Sequence, residues 1–192
     1  MRSAKQQTKC YEKLMKAIAK DAKKNDISRR LFGKYTAGEN TVWLSNGCVV
    51  FGIPYAEYEK LYEVCGCPSI EDCAESSMDL KKIITDIVVS PDATECKMTT
   101  MAFYNSNGAL LNVYSTGKTY GTENKKEFGT INSLYRDMID YMPWCIGGYN
   151  PKALNRKSPI AFYDDVSELG YAICPVNFDV VQALSNLGFE QN

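Results

Sequence analysis

Histidine is absent from this chain of 192 residues, and that single gap removes whole chemistries. Serine and cysteine hydrolases with an imidazole base, H-E-x-x-H metalloproteases and His-ligated deaminases all need the residue it lacks. Also missing is any apolar run near the ~18 residues of a membrane-crossing helix. The amino-terminal stretch is polar and helical rather than a secretory h-region, so a cytoplasmic protein with no membrane partner is the expectation. Charge of one sign is lacking too. With 22 basic against 23 acidic residues the net charge is −1, so no global field draws the molecule to nucleic acid or anionic lipid, and any such attraction is local. There is no low-complexity tract and no repeat at solenoid periods.

Cysteine, by contrast, is plentiful: Cys10, Cys48, Cys65, Cys67, Cys73, Cys96, Cys145 and Cys174. Without an export signal, small buried thiols are the ordinary account. The cluster Cys65, Cys67 and Cys73 leaves a thiolate metal site and a disulfide open. Its C-x-C and x5 spacings nevertheless miss the paired knuckles of structural zinc, and no histidine completes a set. No metal and no cofactor is expected.

Two phosphate-site signatures fail on inspection. Gly117-Lys118-Thr119 resembles the end of a phosphate-binding loop, but Asn112 stands where the first glycine is needed, and Val113-Tyr114 suits a strand. Ser115 and Lys118 make an S-x-x-K pair without its partner motifs. Acidic residues such as Asp164-Asp165 fall in a turn pattern. The chain therefore reads as a non-enzyme; the competing enzyme reading rests on Lys118 or paired acids.

Apolar periodicity predicts a helix over residues 4–25, with Cys10, Leu14, Ala17 and Ile18 on one side, extended by Tyr11 and Met15. Lys9, Lys13, Lys16, Lys20 and Lys24 gather on the other. Asn25-Asp26 ends it. Extended structure then leads into TVWLSNGCVVFGI (41–53), where Asn46-Gly47 is the favoured type I′ dipeptide. A two-residue loop would pair Leu44 with Val49, Trp43 with Val50 and Val42 with Phe51. Val42, Leu44, Val49 and Phe51 then share one face and Trp43 and Val50 the other. Both faces need cover.

A short helix with Tyr55, Tyr58, Leu61 and Tyr62 along one side follows, closed by Gly66 and Pro68. The stretch CGCPSIEDCAESS reads as loop. Residues 79–90 fit helix or strand equally. Strands around ECKMTTMAFYN and ALLNVYST, a helix over 130–142, two strands in SPIAFYDD and GYAICPVNF, and a final short helix complete the pattern. The fold class is α+β, an antiparallel sheet with packed helices, built from two modules of a helix followed by strands in a single domain over 1–192.

Three stretches carry a family likeness. KAIAKDAKKNDISRRLFGKYTAGENTVWLSNGC, with Ser45-Asn46-Gly47 at a T-D-G-like turn, INSLYRDMID, with Tyr135-Arg136-Asp137 in a Y-L-x-D-like core, and KSPIAFYDDVSELGYAICPVNF, with Ser158-Pro159 and Cys174-Pro175-Val176, together resemble the bacterial DNA sliding clamps. These are the polymerase processivity factors, and the likeness is strongest to the shorter clamp-like proteins of phages and mobile elements. The resemblance implies a curved antiparallel sheet with helices on one face. Its other face would lie near an insertion, here 55–78, or a neighbouring copy. It also implies helices turned toward duplex DNA, which makes Lys9, Lys13, Lys16, Lys20 and Lys24 the candidate phosphate contacts, and a ring that a chain this size would close only by assembling with copies of itself. The alternative is a protein-binding module or inhibitor, encoded by a mobile element and reusing the fold. With 13 tyrosines in the chain, its patch would be Tyr55, Tyr58 and Tyr62.

Overall fold

In a computed structural model that describes residues 3–24, 30–116, 127–142 and 151–187, the chain opens with helix α1 (Ala4–Lys24). Three strands follow: β1 (Phe32–Lys34), β2 (Thr41–Ser45) and β3 (Val49–Pro54). Helices α2 (Tyr55–Cys65), α3 (Ile70–Glu75) and α4 (Leu80–Val89) come next, then β4 (Thr94–Tyr104), β5 (Leu110–Thr116) and β6 (Glu127–Asn132). Helix α5 (Ser133–Tyr141) leads to β7 (Lys152–Ala153), β8 (Ile160–Asp164) and β9 (Leu169–Ile173), and α6 (Val180–Asn186) follows. The expected turn at Asn25-Asp26, the sequence Gly117-Lys118-Thr119 and Cys145 lie outside the described residues.

The described strands form one antiparallel sheet in the order β1-β2-β3-β9-β8-β7-β4-β5-β6. The two expected modules, α1 with β1 to β3 and α5 with β7 to β9, meet at its centre. There β3 pairs antiparallel with β9, Val49 opposite Ile173 and Phe51 opposite Tyr171, so module strands run outward from the seam in mirrored order. Helices α1, α2, α3 and α5 bury residues in a single cluster with Val42, Leu44, Phe51 and Ile53. The α+β architecture with a large antiparallel sheet is therefore as the sequence predicts.

The hairpin departs from expectation in its register. Leu44 lies opposite Phe51, Trp43 opposite Gly52 and Val42 opposite Ile53, a shift of two residues from the pairing of a tight I′ turn. The physical reason is Asn46. It does not take the positive φ that a type I′ turn requires, a conformation left to Gly47 at 84°. Its Oδ1 accepts instead from the N–H groups of Cys48 (3.0 Å) and Val49 (3.2 Å), which widens the loop. Because the shift is even, each side chain keeps its face.

The second face finds its cover in α4. Leu80, Ile84 and Ile87 pack with Trp43, Val50, Ala161 and Ala172, which resolves residues 79–90 as helix on the opposite side of the sheet from α1. Residues 55–78 lie on the first side, where Tyr58, Leu61, Cys65 and Cys73 join the main cluster. Within CGCPSIEDCAESS, read above as loop, a short helix forms. Ser69 accepts from the Asp72 N–H while the Asp72 carboxylate accepts from the Ser69 N–H, a reciprocal capping box that holds α3 in place. No described helix is long and apolar enough to cross a membrane.

Candidate nucleic-acid interface

Helix α1 has no glycine or proline over its 21 residues. At its start Ser3 and Gln6 form another capping box: the Ser3 N–H donates to Gln6 Oε1 at 2.8 Å, and the Gln6 N–H donates to Ser3 Oγ at 3.4 Å. Lys23 and Lys24 sit in the last turn, where cations complement the negative end of the helix dipole. Tyr11, Leu14, Met15, Ile18, Ala19 and Ala22 are buried, while Cys10 and Ala17 lie half-buried at the margin of that stripe. The apolar face is thus rotated slightly from the one periodicity alone suggests.

All five candidate lysines, Lys9, Lys13, Lys16, Lys20 and Lys24, are exposed. At 100° per residue they span one arc of the helix opposite the buried stripe. Lys16 is engaged by an acid. Lys16 Nζ lies 2.6 Å from Glu12 Oε1, and this hydrogen bond and charge lower the Glu12 pKa and raise that of Lys16. Both groups are solvent-exposed, so the pair adds little to stability. Its consequence is to offset one positive charge of the row. Lys23 turns aside toward the end of α2, near Gly66.

Asp21 stands in the C-terminal part of α1, where a carboxylate works against the helix dipole. It is held by partners from elsewhere. Tyr135 of α5 donates its hydroxyl to Asp21 Oδ2, and Asn46 Nδ2, on a side chain with no exposed surface, donates to the same oxygen at 3.1 Å. Helix α1, the hairpin turn and α5 therefore meet at one part-buried polar junction around this carboxylate. Sequence reasoning missed this junction. Its only local sign is an Asp near the helix end, where Lys or Arg is the better residue.

Helix α5, the counterpart of α1 in the second module, presents Asp137 outward and a half-buried Arg136. No matching basic row exists there among the described residues. Of the tyrosines weighed for protein binding, Tyr58 is fully buried, with its hydroxyl donated to the Pro68 carbonyl at 2.9 Å. Tyr55 and Tyr62 are half-buried, Tyr55 tilted against Tyr35 (centroids 4.9 Å apart) and Tyr62 stacked on Tyr58 (6.3 Å). That patch lacks an available centre.

The thiols of Cys65, Cys67, Cys73 and Cys96 pack into or against the core. Burial raises the pKa of Cys65 and Cys73, and pushes Cys67 and Cys96 up to about 12. No group of three His, Cys, Asp or Glu side chains fit to hold a metal occurs among the described residues. A thiol at pKa about 12 holds roughly a thousandfold less thiolate at neutral pH than an unshifted one at 9.0. Iodoacetamide on the native protein, read by peptide mass mapping, is therefore expected to leave Cys67 and Cys96 unmodified until denaturant is added. Rapid native labelling of either would contradict these raised pKa values.

No family model matches the chain, and no curated protein matches it. Among solved structures, the DNA polymerase III beta subunit of Thermotoga maritima is similar at 11% identity, over 90% of this chain and 65% of that one, with a TM-score of 0.34. The chain thus spans less than two thirds of that protein's length.

Proposed function

We propose that this chain is a non-enzymatic protein of DNA metabolism that holds duplex DNA by its phosphates through Lys9, Lys13, Lys16, Lys20 and Lys24. The observation that carries the reading is the single outward row these amines form on α1, the face of the helix that packing leaves open. From first to last the row extends about 22 Å along the helix at 1.5 Å per residue, enough to follow several phosphates of one groove edge. Lysine neutralises phosphate as a compact charge without reading base edges, so contact is independent of sequence. The likeness of three stretches to the sliding clamps points the same way.

Binding is expected at low salt and to fall steeply as salt rises, since the near-zero net charge adds no long-range attraction. Replacing Lys9, Lys20 and Lys24 with glutamine removes three phosphate contacts. The slope of log K against log salt is then expected to flatten by about 2 to 3. Glu12→Gln releases Lys16 and is expected to tighten binding. Anisotropy of a labelled duplex across a salt series reads all three proteins. An unmoved slope in the triple variant, or no duplex binding by the parent at low salt, ends this reading. If copies of the chain also close a ring, light scattering will show a defined multiple of 21.5 kDa.

A further inference from the structure

Among the described residues, the outer edge of the sheet at β6 is only partly covered. The Val176 N–H donates to the Thr130 carbonyl at 2.8 Å, and Thr130 Oγ1 donates back to the Val176 carbonyl at 2.9 Å. The Thr130 main chain therefore faces away from β5. In an antiparallel strand, residues two apart turn their N–H and C=O groups the same way, so those of Phe128 face outward too. No described residue pairs with them. Beside them lies a cavity of about 340 Å³ lined by Phe128, Gly129, Arg156, Lys157, Val176 and Phe178, among others. That volume is in the range that accepts a few side chains.

The walls of this cavity are fixed in advance. Gly129 is bare because the ring of Tyr114 occupies the space a Cβ would take, and the Tyr114 hydroxyl donates to the Arg156 carbonyl at 3.1 Å. Asn155 Oδ1 accepts from the Lys157 N–H (2.8 Å) and the Ser158 N–H (3.1 Å), which shapes the turn carrying both cations. Phe178 is seated against Phe103, centroids 5.5 Å apart. The one acid in the lining, Asp179, caps α6 by accepting from the Gln182 N–H at 3.0 Å. Arg156 and Lys157 are exposed and dominate the charge at the mouth.

We infer that this edge takes a short extended acidic segment of another protein. Its main chain pairs with Phe128, continuing the ladder one position beyond the Val176 to Thr130 bridge; its carboxylates meet Arg156 and Lys157, and an apolar side chain enters between Phe128 and Phe178. The site owes nothing to α1, so its test needs no DNA and stands whether or not the lysine row binds duplex.

The test is NMR titration of the full chain with the acetylated, amidated peptide Glu-Leu-Glu-Phe-Glu-Leu-Glu, beside the same peptide with every glutamate replaced by lysine. The acidic peptide is expected to saturate the amide shifts of Phe128 and Gly129 and to bind at least about tenfold tighter than the lysine peptide at low salt. Arg156→Glu combined with Lys157→Glu, both on the surface, is expected to reverse that preference. Methylation of the peptide's amide nitrogens is expected to abolish binding, because strand pairing needs them. Three outcomes overturn the inference: no saturable shift at millimolar peptide, equal binding of both peptides, or shifts confined to residues away from β6.

Discussion

Trp43→Ala is expected to lose about 3–5 kcal/mol of folding stability, the range for emptying a buried large aromatic. Trp43 is 1% exposed and stands at the centre of the second core, under Leu80 and Ile84 of α4. Its indole lies over Gly52, the residue directly opposite it on β3, and a Cβ there would fall 2.9 Å from the ring. Trp and Gly thus fit as a large and small pair. The indole Nε1 is buried without a hydrogen-bond partner among the described residues, which carries its own penalty. Trp43→Phe keeps a ring over Gly52 and removes that donor, so its loss is expected to be clearly smaller. Denaturant unfolding followed by circular dichroism measures both. An alanine variant within about 1 kcal/mol of the parent, far below that range, would mean α4 is not seated on this face.

Gly170→Ala is expected to cost about 3 kcal/mol, toward the upper end of overpacking. Gly170 lies opposite Tyr163 in the β8 and β9 pair. A Cβ there would press into the Phe162 carbonyl oxygen and fall 3.1 Å from Tyr163 Cα. These are main-chain atoms of the adjoining strand in mid-sheet, and they cannot retreat without opening the ladder. Gly108 makes the comparison. It sits in the β4 to β5 turn at φ 73° with open space where a Cβ would go, so Gly108→Ala meets only left-handed strain, about 1 kcal/mol. If the two alanine variants unfold alike, the close approach of β8 to β9 at Gly170 is wrong.

These two losses lie on opposite sides of what could be read from residue order. That Trp43 faces away from Val42 and Leu44 follows from strand alternation, and it held even though the hairpin register moved by two. What seats on Trp43 did not follow. Leu80, Ile84 and Ile87 satisfy a helical spacing, but IITDIVV is equally a strand run in isolation. Burial against the indole decided between them, because a helix laid across this face covers more apolar surface than a strand at its edge would. The small helix at Ile70–Glu75 was legible in principle, since Ser69 and Asp72 hold the capping spacing. The neighbouring Gly, Pro and Ser residues masked it.

The candidate interface was legible to a similar depth. The amines of Lys9, Lys13, Lys16, Lys20 and Lys24 are placed by the same period that buries Leu14 and Ile18, and both stripes are properties of one continuous segment. The Lys16 to Glu12 pair is also local, four residues apart. The cavity beside Phe128 is not, since it gathers three segments from β6, the turn after β7 and the stretch after β9.

By itself the order of residues determined the helix of α1, its greasy and charged sides, the face of each hairpin residue and the presence of two helix-plus-strand modules. Periods of two and 3.6 act over one or two turns of chain. Only the tertiary structure decided the hairpin register and the cover of the second face. The register turns on Asn46, whose amide reaches Asp21 25 residues before it and Tyr135 89 residues after it. A buried amide must satisfy its hydrogen bonds wherever the fold supplies partners, and no local pattern records where those partners are.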